Sequence, residues 1–317
     1  MMARVPQIGL KELEEKFDII YPVEFQFGLE ELIENIKEAD GVMSVFTLPL
    51  TVEVIKHATR LKIIANFGVG FNNIDLATAN SMGIVVCNTP NAVTEPTAEM
   101  AMGLMISLMR RITETDRRLR TDPNFKWGMM ENLGNGLYGK TLGIIGMGRI
   151  GRAVARRAVA SGMKIIYYNR TRLSLEIENQ FNAIWVPFNE VIANADVISL
   201  HCPLTEQTHH CIDEKEMKRM KDGVFIINTS RGPVINEKIL VKYLQNGKIG
   251  GAGLDVFEEE PLIPTELYQM NNVVLTPHNA TGTIDTRIEL AREASKNILD
   301  FFEGKRTISI VNPQVWE

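Results

Sequence analysis

Cysteine is scarce in this 317-residue chain. There are three, Cys87, Cys202 and Cys211, and no C-x-x-C spacing. That number cannot form a closed disulfide framework and fits a reducing compartment, so the chain is expected to be cytoplasmic. Long apolar runs are also missing. The most apolar helix candidate, Ala98–Met109, is well short of the ~20 residues that span a bilayer. The N-terminus runs directly into the charged stretch Lys11–Lys16, so no signal peptide and no membrane partner are expected. There is no excess of positive charge. Lys+Arg number 34 against 39 Asp+Glu, a net charge of −5, so a dedicated nucleic-acid binder is excluded. Tandem repeats and Pro/Gly/Ser linkers are absent as well.

What is present is an ordinary globular composition, 45% hydrophobic and 23% charged, which excludes disordered, collagenous and coiled-coil chains. The length suggests about two domains. Near-continuous apolar runs at Leu61–Ala65, Ile84–Val86, Leu142–Gly146, Lys164–Tyr168, Asp196–Leu200, Val224–Asn228 and Val273–Leu275 read as strands buried on both faces. Helical patterns such as Arg149–Ser161 and Glu237–Gln245 lie between them, the alternation of a doubly wound α/β sheet. A long helix is expected over Thr97–Arg120, with Thr94 as its cap and Pro96 in its first turn. A second is expected over Ile284–Phe302, stopped by Gly304.

Gly146-Met147-Gly148-Arg149-Ile150-Gly151 is a G-x-G-x-x-G placed between a strand and a helix, with a second strand following. In that context the motif binds a dinucleotide. Gly146 permits the tight turn, Gly148 admits a pyrophosphate to the backbone, and Gly151 lets helix and strand pack closely. The helix N-terminus then holds the phosphate charge. The segment after the second strand, Asn169-Arg170-Thr171-Arg172, lacks the carboxylate that would accept a ribose 2′-OH. Two guanidiniums, an amide and a hydroxyl suit a 2′-phosphate instead, so NADP(H) is expected to be preferred over NAD(H).

Three further segments place polar residues beyond strand ends, where ligands sit in open α/β sheets: Asn228–Pro233, Gly253–Pro261 and Thr276–Gly282. Together with Gly68–Asp75, the glycine turn and His201-Cys202-Pro203-Leu204-Thr205, they make the chain resemble the D-isomer-specific 2-hydroxyacid dehydrogenases, in particular the glyoxylate/hydroxypyruvate reductase branch, from about Leu48 to Pro313. The resemblance implies two α/β domains with doubly wound parallel sheets. A Rossmann-type cofactor domain, about 95–287, would be inserted in a discontinuous substrate domain of about 1–94 and 288–317.

The resemblance also implies roles. Arg231 grips the substrate carboxylate and carbonyl, His278 is the general acid/base, and Glu260 orients that histidine. Val69 and Gly70 offer backbone N–H groups to the substrate carboxylate. Thr97 meets the cofactor phosphate near the nicotinamide, Arg149 and Ile150 the pyrophosphate, and Asp255 the nicotinamide carboxamide. His201, Cys202, Pro203, Thr208, Thr229 and Ser230 complete the cofactor surface. The expected reaction is reduction of a small 2-oxo acid to the D-2-hydroxy acid, by a homodimer joined through the helix from Thr97 and the loop around Trp127. Phe46, Leu48, Leu50 and Trp127 are expected to supply an apolar substrate wall. No metal is required, and the adjacent His209 and His210 read as surface residues with diverging side chains.

The chain departs from the family pattern at its start. Only Met1–Val5 precede Pro6, so the opening strand is expected to be stubby or cut back. Sibling enzymes stay open as alternatives to different degrees. Formate enzymes carry Gln where Glu260 stands, D-lactate enzymes carry Asp at the Asn169 position, and phosphoglycerate enzymes often add a C-terminal domain for which 317 residues leave no room. A dinucleotide-sensing corepressor of the same fold is the non-enzymatic alternative.

Overall fold

The computed structural model describes residues 1–306 and 309–316. Its elements, in chain order, are α1 (Lys11–Lys16), α2 (Leu29–Ile36), β1 (Gly41–Ser44), α3 (Val52–His57), β2 (Ile63–Asn66), α4 (Leu76–Ser81) and β3 (Val85–Cys87). Then follow α5 (Thr94–Met109), α6 (Ile112–Thr121), β4 (Thr141–Ile145), α7 (Arg149–Ala160), β5 (Lys164–Tyr168), α8 (Leu175–Gln180), β6 (Ala183–Trp185), α9 (Phe188–Asn194) and β7 (Val197–Leu200). The chain closes with α10 (Glu214–Arg219), β8 (Val224–Asn228), α11 (Glu237–Gln245), β9 (Ile249–Leu254), α12 (Thr265–Tyr268), β10 (Val273–Leu275) and α13 (Ile284–Phe302).

Two compact units result. One is Met1–Val93 together with the chain from Thr281 onward, and the other is Thr94–Ala280. The return crossing therefore falls at 280/281 rather than near 287/288. The reason is local: Thr283 caps α13 by accepting from Thr286 N at 3.2 Å, so a crossing at 287 would cut a helix that folds as one piece.

The terminal unit has a three-stranded parallel sheet, β1-β2-β3. Its strands are buried nearly throughout, and its core is built on Ile63, Ile64, Leu50, Ile55 and Ile84, each with no exposed surface. The opening residues contribute only an isolated antiparallel bridge, Ala3 to Gln26.

The central unit has a seven-stranded, wholly parallel sheet in the order β10-β9-β8-β7-β4-β5-β6. The chain thus winds outward from β4 to β5 and β6, then jumps back to β7 and winds the other way. β4 and β7 flank the switch point, where open α/β sheets bind their ligands. One face carries α5 and α7, the other α9, α10 and α11, each over its own apolar cluster.

Strands β1, β6 and β9 add to the seven expected from the sequence. Half of β9, Ile249-Gly250-Gly251-Ala252-Gly253-Leu254, is glycine. Those glycines are required by packing. A Cβ at Gly251 would lie 2.9 Å from Leu108 Cδ1, and one at Gly253 would lie 3.0 Å from Leu104 Cβ, so α5 lies directly on the bare strand. The long helix expected over Thr97–Arg120 is broken into α5 and α6. Arg111 turns left-handed at φ 57°, its guanidinium forks onto Glu114 at 2.6 and 2.7 Å, and Met109 O accepts from Asn135 N at 2.7 Å instead of continuing the helical ladder. Ala98, Ala101, Met105 and Met109 are buried in the central unit's own core. The apolar run of α5 is therefore built largely into the core of the single chain. Among the described residues no helix is long and apolar enough to cross a membrane.

Candidate active site

The glycine turn sits where β4 ends. Gly146 has φ 94°, and a Cβ there would lie 2.5 Å from Cys202 N, on the loop after β7. The two loops at the switch point are in backbone contact, which only glycine allows. A Cβ at Gly151 would lie 2.5 Å from Gly146 O, so α7 packs tightly behind the turn. At Gly148, in contrast, nothing lies within 4 Å of the Cβ position, which leaves open backbone at the N-terminus of α7. Close packing at the outer glycines and free space at the middle one is the shape a pyrophosphate needs.

Buried polar atoms without partners lie among the same segments. His201 shares a hydrogen bond with Ser199 Oγ through Nε2 at 2.8 Å, but its Nδ1 has none among the described residues; the same holds for Thr229 Oγ1 and Asn279 Oδ1. Burial pushes the His201 pKa down to about 4, so this imidazole is neutral. Orphaned buried donors and acceptors of this kind call for a ligand, and a nicotinamide dinucleotide fits them. Thr97 lies in the first turn of α5, 5% exposed. Ser230 donates to Asn228 Oδ1 through both N (3.0 Å) and Oγ (2.8 Å). Thr208 is spent inside its own loop, donating to Pro203 O at 2.6 Å and accepting from Thr205 N at 2.8 Å, so its expected cofactor role gives way to bracing Pro203.

The segment after β5 also corrects the sequence reading. Asn169 Oδ1 accepts from Met147 N at 2.6 Å and holds the glycine turn. Arg172 forks onto Glu178 at 2.8 and 2.7 Å, and Glu178 also accepts from Tyr167 Oη at 2.7 Å. The Arg172 and Tyr167 hydrogen bonds hold the Glu178 carboxyl down at about 2 against the opposing effect of burial. Arg172 is thus neutralised from within. Arg170 is exposed and makes no ion pair among the described residues, and Thr171 is exposed beside it.

The catalytic candidates come together at the ends of β8, β9 and β10. Gly232 follows Arg231, and a Cβ there would fall 1.8 Å from Phe257 O and 2.4 Å from Glu258 N. Only glycine lets the Arg231 loop lie against the 255–260 loop. Within the latter, Glu260 Oε1 accepts from Phe257 N at 3.0 Å, and Oε2 meets His278 Nδ1 at 2.7 Å. Burial works to raise the Glu260 carboxyl, but the hydrogen bond and charge of His278, with Phe257 N and Arg231, outweigh it and leave it below the usual carboxylate range. Burial also lowers the Arg231 pKa, opposed by the charge of Glu260. Arginine stays charged regardless.

Asp255, expected to face the cofactor, is wholly buried, and both its oxygens are occupied. Oδ1 accepts from Thr276 Oγ1 (2.6 Å) and Asn279 N (3.0 Å), Oδ2 accepts from Ala280 N (2.9 Å), and Asp255 O accepts from His278 N (2.8 Å). It is a buried anchor for the loop that holds His278 at φ 48°.

In the terminal unit, Val69 and Gly70 follow β2. Asn66, 1% exposed, donates to Gly68 O (3.1 Å) and Gly70 O (2.7 Å), while Asn88 donates to Val69 O (2.8 Å). Three successive carbonyls face inward, and the N–H groups of Val69 and Gly70 have no partner among the described residues, the makings of an anion nest. The expected apolar wall is reduced. Leu48 and Leu50 are core residues at 8% and 0% exposure, Phe46 is exposed, and Trp127 belongs to an exposed stretch of the central unit. His209 and His210 do not diverge. His210 is left-handed at φ 49°, and the rings lie 4.0 Å apart at 31°.

Comparison with known proteins agrees with this geometry. Residues 102–280 match the NAD binding domain of the D-isomer specific 2-hydroxyacid dehydrogenases. The chain is 43% identical to a glyoxylate reductase of Thermococcus litoralis over 319 residues, covering 98% of this chain and 96% of the relative. It is 41% identical to one from Korarchaeum cryptofilum, covering 98% and 94%. Among solved structures, a glyoxylate reductase from Paecilomyes thermophila superposes with a TM-score of 0.89 at 36% identity, covering 98% and 96%. An NADPH-dependent glyoxylate/hydroxypyruvate reductase from Sinorhizobium meliloti, in complex with NADP and malonate, superposes at 0.86 and 30% identity, covering 98% and 94%. The fold is that of a dinucleotide-dependent oxidoreductase. The chain belongs to the D-isomer specific 2-hydroxyacid dehydrogenase family, whose members act on small 2-hydroxy and 2-oxo acids.

Gly232→Ala tests the loop packing. Its clash is with backbone and cannot be relieved by a rotamer, so kcat/KM should fall about 10²-fold, as expected when a reacting group is misplaced by about 1 Å. Dinucleotide affinity, set at the glycine turn, should be retained. Steady-state kinetics and fluorescence titration with NADPH check both.

Proposed function

We propose that the chain reduces a small 2-oxo acid, of the glyoxylate or hydroxypyruvate class, to the D-2-hydroxy acid, with NADPH as preferred donor. The observation that carries this reading is the 2.7 Å contact between Glu260 and His278 beside the Arg231 loop. The cofactor supplies a hydride to C2 of the acid. The chain's own groups do the rest. Charge builds on the carbonyl oxygen as hydride arrives. Arg231 binds the carboxylate and stabilises that oxyanion. His278, oriented through Nδ1 by Glu260, delivers a proton from Nε2. Arg170 and Thr171 meet the 2′-phosphate, and Asn169 carries no charge to repel it. Three cysteines, too few for a disulfide framework, fit a cytoplasmic enzyme.

We propose further that two copies associate through the stretch between α6 and β4. Trp127, Met129, Met130 and Tyr138 are 81%, 92%, 76% and 87% exposed there. Apolar side chains this open, clustered along one loop, mark an interaction surface.

His278→Ala should lower turnover about 10²–10⁴-fold with little change in cofactor affinity. Glu260→Gln should lower turnover while leaving cofactor affinity unchanged, because the imidazole loses the carboxylate that fixes its orientation through Nδ1. A His278→Ala enzyme with wild-type turnover on glyoxylate, hydroxypyruvate, pyruvate and phenylpyruvate would refute the mechanism.

Arg170→Ala should weaken NADPH binding by about 1.5–3 kcal/mol, the worth of a charge-assisted contact, and leave NADH binding unchanged. Arg172→Ala should act on both cofactors alike. Equal wild-type affinity for NADPH and NADH would overturn the preference.

Light scattering at micromolar protein should give twice the 35.6 kDa chain mass, and a stable single-chain species would remove the dimer.

A further inference from the structure

The stacked pair His209 and His210 is not absorbed by the reaction. His210 is left-handed, and its ring swings over that of His209 instead of away from it. Its Nε2 lies 2.5 Å from Glu258 Oε1. One ligand atom from each of His209, His210 and Glu258 falls within 4.8 Å of the other two. Two imidazoles and a carboxylate converge from two loops far apart in sequence, and His209 remains exposed, leaving the cluster open to solvent.

We propose that His209, His210 and Glu258 bind one divalent transition metal ion of the zinc class. Two nitrogen ligands and one oxygen form a borderline donor set of the kind Zn²⁺ takes, with water in the remaining position. The fit requires the ligand atoms, which now lie within 4.8 Å of one another, to draw in by up to about 1.5 Å. Tetrahedral Zn²⁺ with bonds of about 2.0–2.2 Å separates neighbouring ligand atoms by about 3.3 Å. The His210–Glu258 hydrogen bond would open by under about 1 Å as the ion replaces the shared proton. The second carboxylate oxygen is already held. Glu258 Oε2 accepts from Glu237 N at 3.1 Å, which orients the ligand oxygen toward the histidines.

The position gives such a site a consequence. His210 N donates to Pro233 O at 2.8 Å, two residues beyond Arg231, and Glu258 lies two residues before Glu260. An ion here would tie together the outer sides of the two loops that present the arginine and the carboxylate.

The test uses full-length protein stripped with a chelator and titrated calorimetrically with Zn²⁺, alongside Co²⁺ followed by visible absorption. Wild type should take up one equivalent, with the d–d bands of a low-symmetry Co²⁺ site. His209→Ala changes an exposed side chain outside the catalytic machinery. It should weaken binding at least about 10-fold, within the range for lost metal-site contacts, while keeping the metal-free activity. Glu258→Gln should do the same to binding and serves as the second variant. Three results would each overturn the proposal: no stoichiometric uptake by wild type, binding that survives His209→Ala and Glu258→Gln but is lost in His278→Ala, or binding lost only in Cys211→Ser.

Discussion

The site depends on one buried carboxylate. Asp255 has no exposed surface, and burial raises its pKa against the hydrogen bonds that favour its charge. An ionised group in that position is costly unless its lone pairs are filled. Here they are filled by Thr276, Asn279 and Ala280, and the Asp255 carbonyl takes the His278 amide. The cost of burying the charge is offset only when this loop closes around it. The same closure forces His278 into the left-handed region and presents Nδ1 to Glu260. Substituting Asp255 would leave the Thr276 hydroxyl and two backbone N–H groups without their acceptor, because the other donors belong to the main chain of the loop itself.

Much of this was legible in the sequence where the signal is local. The glycine turn and its flanking strands are adjacent in the chain, and α13 begins and ends where its cap residue and Gly304 place it. Local reading failed where distant segments decide. β9, half glycine, gives no apolar strand signal until Leu104 and Leu108 of α5 are known to lie on it. The break at Arg111 depends on Asn135, well beyond the helix. Arg172 looks like a phosphate ligand until Glu178 and Tyr167 are placed beside it. Thr208 and Asp255 spend their oxygens on their own or neighbouring loops. The stacking of His209 on His210 follows from a backbone angle that no residue type at that position announces.

Glycine does different work at each of the three turns that build the site. At Gly146 it admits the backbone of the neighbouring loop, at Gly148 it leaves space, and at Gly232 it lets two loops touch with no side chain between them. The first and third are fixed by contact within the protein, so their constraint is visible without a ligand. The second is constrained only by what binds there.

Arg231, Asp255, Glu260 and His278 all belong to the unit Thr94–Ala280, whereas Val69 and Gly70 belong to the unit formed by the two ends of the chain. These four side chains are therefore specified by one uninterrupted piece of sequence. A chain laid out this way can exchange either of its ends for a foreign segment without altering the order or spacing of the four.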